Sequence, residues 1–93
     1  MAALPDTEVE AELGRRTGWE RSGDEIVRVY ELDSFRAVIA LVDAVAQVAE
    51  AANHHPDLDI RYNKLRVALS THDQGGITAR DFALADQIDA LAS

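Results

Sequence analysis

The sequence predicts an α+β sandwich: a four-stranded antiparallel sheet with three helices packed on one face, in the order αββαββα. Two stretches rich in strand-forming residues, Trp19–Glu31 and Asp57–Ser70, each carry a turn signal within them. Between them runs a long apolar segment at helical spacing, and segments with helix-start signals flank both ends. Hairpins alternating with helices give antiparallel pairing, one covered sheet face and one solvated face.

The first element begins at Thr7-Glu8-Val9-Glu10, which has the Ser/Thr-x-x-Glu form of a capping box, and runs through Leu13 to stop near Gly14 or Gly18. Trp19-Glu20-Arg21, the turn residues Ser22-Gly23-Asp24, and Glu25–Glu31 read as a hairpin. Asp33 or Ser34 caps the longest helix, expected from about Ser34 to Ala52. Phe35, Val38, Val42, Val45, Ala49 and Ala52 give it one apolar stripe, and Leu41, Ala44, Val48 and Ala51 a second. Such girth calls for cover on more than one side, from a core or from another subunit. Leu58, Ile60 and Tyr62 then alternate with Asp57, Asp59 and Arg61. After Asn63, which tolerates a positive φ, Leu65, Val67 and Leu69 alternate with Lys64, Arg66 and Ser70, giving a second hairpin with one buried face. Gly75-Gly76 form a connector, with no nucleotide-binding glycine motif around them. Thr78 caps a last helix, expected over Ala79–Leu91.

A chain of 93 residues has room for one core, so residues 1–93 are read as a single domain. A domain this small buries only about 60–65% of its unfolded surface, and cysteine is absent. With no disulfide to help, a homodimer or homotetramer is the expected route to stability. The net charge of −8, with basic residues scattered among acids, argues against nucleic acid and anionic membrane as partners. The first residues show neither a basic nor an apolar targeting region, and no apolar run is long enough to span a bilayer. A soluble cytoplasmic protein is the expectation.

The chemistry concentrates in one stretch. All three histidines lie in Glu50-Ala51-Ala52-Asn53-His54-His55-Pro56-Asp57 and Thr71-His72. Imidazole titrates nearest neutrality, so clustered histidines point to acid–base work. The proline biases His55 towards extended backbone, which sends neighbouring imidazoles in opposite directions. Antiparallel pairing about Tyr62-Asn63 returns His72 to the neighbourhood of His54 and His55, with Arg80 and Asp81 as further polar walls. Glu50, four residues before His54, is either a partner for that imidazole or a surface carboxylate. A metal site is disfavoured: adjacent histidines diverge, and neither cysteine nor a His-x-His spacing assists. Taken singly, a histidine is more often a surface or satisfied core residue than a functional one.

The whole string resembles the pterin-4a-carbinolamine dehydratases. The similarity spans Gly18-Trp19 to Ile88-Asp89 and is densest from Glu50 to Asp81. Its elements are Glu50 ahead of His54-His55-Pro56, Tyr62-Asn63, Leu69 with Thr71-His72, Gly76, Thr78, Asp81 and Leu84-Ala85. The resemblance implies dehydration of a 4a-hydroxytetrahydropterin to a quinonoid dihydropterin, in which no electrons move and no nicotinamide, flavin or metal cofactor is required. It implies general-acid roles at His54 and His72 and substrate contact at His55, with Glu50, Asn53, Arg80 and Asp81 around the same pocket. It also implies sheets extended across a dimer and dimers paired through the long helix. Leu58 replaces an aromatic common in the family, which loosens one pocket wall, and Asn53 replaces an aspartate of animal members. Some relatives serve instead as partner proteins of a transcription factor or in RuBisCO assembly, so a non-catalytic oligomeric binding module is the rival reading. Retention of all three histidines favours catalysis.

Overall fold

A computed structural model describes residues 2–93. Its elements are α1 (Asp6–Gly14), β1 (Glu20–Ser22), β2 (Glu25–Glu31), α2 (Phe35–Ala52), β3 (Asp57–Arg61), β4 (Lys64–Leu69) and α3 (Ala79–Ala92), with a short 3-10 turn at His72–Gln74. The four strands form one antiparallel sheet in the order β1-β2-β4-β3, as the alternation predicts. The β1–β2 hairpin turns at Gly23, whose φ of 61° lies where glycine has no steric cost.

The helix-facing side of the sheet carries Ile26 and Tyr30 of β2 and Leu65, Val67 and Leu69 of β4, all buried. Val9 of α1, Val38, Leu41 and Val45 of α2, and Phe82, Leu84, Ala85 and Ile88 of α3 close the core over them. α2 starts where Ser34 Oγ accepts the Ala37 N–H at 3.0 Å, the N-cap arrangement that satisfies an otherwise free donor. Its apolar girth exceeds what one chain covers: Phe35 remains 49% and Ile39 37% exposed.

Three local expectations are corrected. The capping box at Thr7 does not form; α1 is entered from Pro5, whose carbonyl accepts from Glu8 and Val9, and Thr7 lies inside the first turn. The helical backbone already begins at Asp6, after Pro5 in extended conformation (φ −64°, ψ 155°), so the Thr7 hydroxyl lies beyond the cap position. In the β3–β4 turn the positive φ falls on Tyr62 (52°), not on Asn63. Asn63 instead donates its side-chain amide to Leu32 O at 3.0 Å and accepts the Leu32 N–H on its own carbonyl, tying the turn to the lead-in of α2. Finally, β3 is an edge strand, so its apolar residues Leu58 and Ile60 stay 36% exposed rather than buried. Among the described residues, no helix is long and apolar enough to cross a membrane.

Candidate functional site

The end of α2 sets the first two histidines. Asn53 takes the left-handed conformation (φ 50°, ψ 45°); its N–H bonds Glu50 O and the His54 N–H bonds Ala49 O. That pair of bonds is a Schellman motif, a helix stop that turns the chain sharply, and asparagine tolerates the required positive φ. His54 is thereby turned inward and buried, while His55, ahead of Pro56, stays exposed.

A loop after β4 sets the third. Thr71 and Gly76 form an isolated bridge, with Thr71 N to Gly76 O at 2.9 Å, and His72 rides on the 3-10 turn between them. α3 then opens on a complete capping box: Thr78 Oγ1 accepts from the start of the helix, and Asp81 accepts the Thr78 N–H at 2.9 Å.

Asp81 does more than cap. It is fully buried, and its Oδ1 lies 2.6 Å from His54 Nε2. Its Oδ2 accepts the Thr71 hydroxyl at 2.9 Å together with the Thr78 N–H. A carboxylate can only accept, so Nε2 carries the proton of the His54 bond. No fully buried side-chain nitrogen or oxygen among the described residues lacks a partner. The remaining ring nitrogen of His54, Nδ1, has no protein partner and so reaches the solvent of the cleft that His54 lines.

That cleft encloses about 380 Å³ and is lined by Asn53, His54, His55, Ser70, Thr71, His72, Asp73 and Arg80. Its volume falls at the lower end of the range typical of small-molecule sites. The three histidines do converge on it. Arg80 donates Nη2–H to the Asn53 carbonyl at 2.8 Å, so the α3 start is tied to the α2 end across the cleft. Two expected wall residues stand elsewhere. Asp81 is packed behind His54, and Glu50 touches the cleft only through the hydrogen bond between its carboxylate and His55 Nε2. That pair is largely exposed. Ser70, Thr71, Asp73 and Thr78 were not singled out as site residues by sequence reasoning, although Thr78-x-x-Asp81 has capping-box spacing. Among the described residues no group of three histidine, cysteine, aspartate or glutamate side chains could hold a metal ion.

Sheet, helices and cleft together define an α+β sandwich that holds an aspartate-backed histidine at the mouth of a polar pocket. The chain belongs to the pterin 4 alpha carbinolamine dehydratase family, whose description it matches over residues 2–91. A relative in Roseiflexus castenholzii, provisionally named pterin-4-alpha-carbinolamine dehydratase, is 54% identical over 90 residues, 97% of each chain. A protein of the same provisional name in Nocardia farcinica is 53% identical over 89 residues, covering 96% of this chain and 94% of its own. The solved transcriptional coactivator/pterin dehydratase of Brucella melitensis superposes with a TM-score of 0.94 at 28% identity, over 98% of this chain and 99% of its own. A pterin dehydratase-like protein described as a RuBisCO assembly factor in the alpha-carboxysome shares the fold at 22% identity, with a TM-score of 0.71 over 84% of this chain and 93% of its own.

Proposed function

We propose that the protein dehydrates a 4a-hydroxytetrahydropterin to the quinonoid dihydropterin by histidine general acid–base catalysis. The observation that carries this reading is the buried Asp81–His54 pair, which leaves Nδ1 of His54 free in a cleft also lined by His55 and His72. Protonated at Nδ1, His54 donates to the 4a-hydroxyl. The N5 lone pair forms the C4a=N5 double bond as the C4a–O bond breaks and water leaves. Loss of the N5 proton then restores the proton that the histidine gave up, so the reaction needs no electron carrier. His72, which lines the same cleft, supplies the same service to substrate presented in the opposite sense. His55, Asn53 and Arg80 hold the ring system. Glu50 orients His55 through its hydrogen bond, and Asp81 orients His54.

The test is the rate of quinonoid dihydropterin formation from freshly generated carbinolamine, with and without protein. A rate no faster than the spontaneous one would overturn the reading in favour of a binding module. His55→Ala is expected to raise KM more than it lowers kcat, because a substrate contact of equal strength in ground and transition states would be lost. A kcat loss as large as that of His54→Ala would contradict that assignment.

The chain is proposed to work as a homodimer or homotetramer. The exposed Phe35 and Ile39 on α2, and the unpaired edge of β3, support this. Light scattering at micromolar concentration is expected to give a multiple of 10.2 kDa; a monomer alone would sink the proposal.

A further inference from the structure

We infer that the Thr78–Thr71 hydroxyl pair is a positioning device that holds Asp81 as a carboxylate and so keeps His54 protonated on Nε2, leaving Nδ1 for proton transfer. That role presupposes the general-acid reading of His54, but its primary readout needs no turnover.

The case rests on donors and acceptors. Thr78 Oγ1 accepts the Arg80 N–H at 3.2 Å and lies 2.8 Å from Thr71 Oγ1, which in turn lies 2.9 Å from Asp81 Oδ2. All of Thr71, Thr78 and Asp81 are buried. One orientation of the hydroxyls satisfies everything: Thr78 donates to Thr71, Thr71 donates to Asp81, and Asp81 only accepts. Reversing the chain would require a protonated Asp81 donating to Thr71, and would leave the Thr78 hydroxyl proton without an acceptor. A stranded buried donor is costly, so the reversed chain is disfavoured. The pair therefore points a donor at Asp81 Oδ2, so Asp81 serves as an acceptor on both oxygens and the proton of the His54 bond stays on Nε2.

The charged and titratable groups around His54 are Asp81 and Arg80 of α3, Glu50 and His55 at the end of α2, and His72 and Asp73 of the 3-10 turn; of these, only Asp81 is bonded to it. The experiment is a long-range ¹⁵N–¹H correlation titration of the histidine rings in the full chain. Wild-type His54 is expected to lose its proton from Nδ1 and remain protonated on Nε2. Thr71→Val, which keeps the shape and removes the donor, is expected to mix the tautomers of neutral His54. It should also lower kcat on the order of tenfold with little change in KM, the scale on which loss of an orienting partner acts. Thr71→Ser should restore both. A wild-type neutral His54 protonated on Nδ1 overturns the inference without any variant, as does a Thr71→Val protein whose tautomer matches wild type. The expected tautomers in a protein that fails to accelerate dehydration would support the device and overturn only the dehydratase reading.

Discussion

Replacing His54 by alanine is expected to lower the protein-dependent dehydration turnover by about 10²- to 10⁴-fold, the usual contribution of a positioned general acid. That range corresponds to roughly 3–5 kcal/mol of barrier. His72→Ala should act on the same scale towards substrate whose hydroxyl is presented to His72. With a mixture of 4a stereoisomers, each single variant therefore keeps part of the progress curve, and His54→Ala/His72→Ala loses both phases. The fold should survive, because Asp81 retains the Thr71 hydroxyl and the Thr78 N–H when His54 is removed. Stopped-flow absorbance gives the turnover, and far-UV circular dichroism verifies folding. A folded His54→Ala protein with wild-type kcat for both isomers would remove His54 from the mechanism.

Much of the frame was legible because each element obeys a local rule. Strict alternation from Leu58 to Leu69 gave both strands of the second hairpin, and Ser34 followed by a helical apolar stripe gave the start of α2. The failures came where two local devices compete. At the N-terminus Thr7 has capping-box spacing, but the helix begins one residue earlier, at Asp6 after Pro5, which leaves the Thr7 hydroxyl inside the first turn. At Tyr62-Asn63 the asparagine is the better left-handed residue by itself. Its amide is engaged by Leu32 O, and Tyr62 takes the positive φ.

The convergence of His54, His55 and His72 was legible from hairpin pairing. Their partners were not. Pairing Glu50 with His54 assumed a helix that continues through Asn53; the left-handed turn there breaks the i,i+4 geometry, sends His54 inward and returns His55 to Glu50. Asp81 looked like a cleft wall because it sits beside Arg80 in the first turn of α3. Whether such a residue faces solvent or core depends on how α3 is set against Thr71, a tertiary relation with no signature in spacing. The spacing Thr78-x-x-Asp81 is the one signal that could have placed the aspartate on its own cap, which is half of its observed role.

The largest stability effect is expected away from the cleft, at Asp89. Its Oδ2 accepts the Trp19 Nε1–H at 2.9 Å, and its Oδ1 accepts Arg28 Nη1–H at 3.0 Å and the Tyr30 hydroxyl. Trp19 and Tyr30 are both buried and pack edge to face, so this one carboxylate joins the first hairpin to α3. Asp89→Ala strands the buried indole N–H and phenol O–H, while Arg28 keeps its bond to Thr17 O. Each stranded donor costs about 1–3 kcal/mol, so a loss of roughly 2–4 kcal/mol is expected. In a domain of this size that lowers Tm by roughly 10–30 °C at fixed protein concentration. Asp59→Ala, which breaks an exposed pair with Arg61, should cost less than about 0.5 kcal/mol. The network also sets an alkaline limit. Burial first, and then the Asp89 carboxylate, push the Tyr30 phenol above the ordinary tyrosine range, so it acts as a neutral donor. The stability this contributes is complete below about pH 10, the unfolded value, and is lost as pH rises above it. Urea unfolding followed by the fluorescence of Trp19, the sole tryptophan, reads both effects. An Asp89→Ala protein as stable as Asp59→Ala would show that the two aromatic donors find other acceptors and that the hairpin is held to α3 by apolar packing alone.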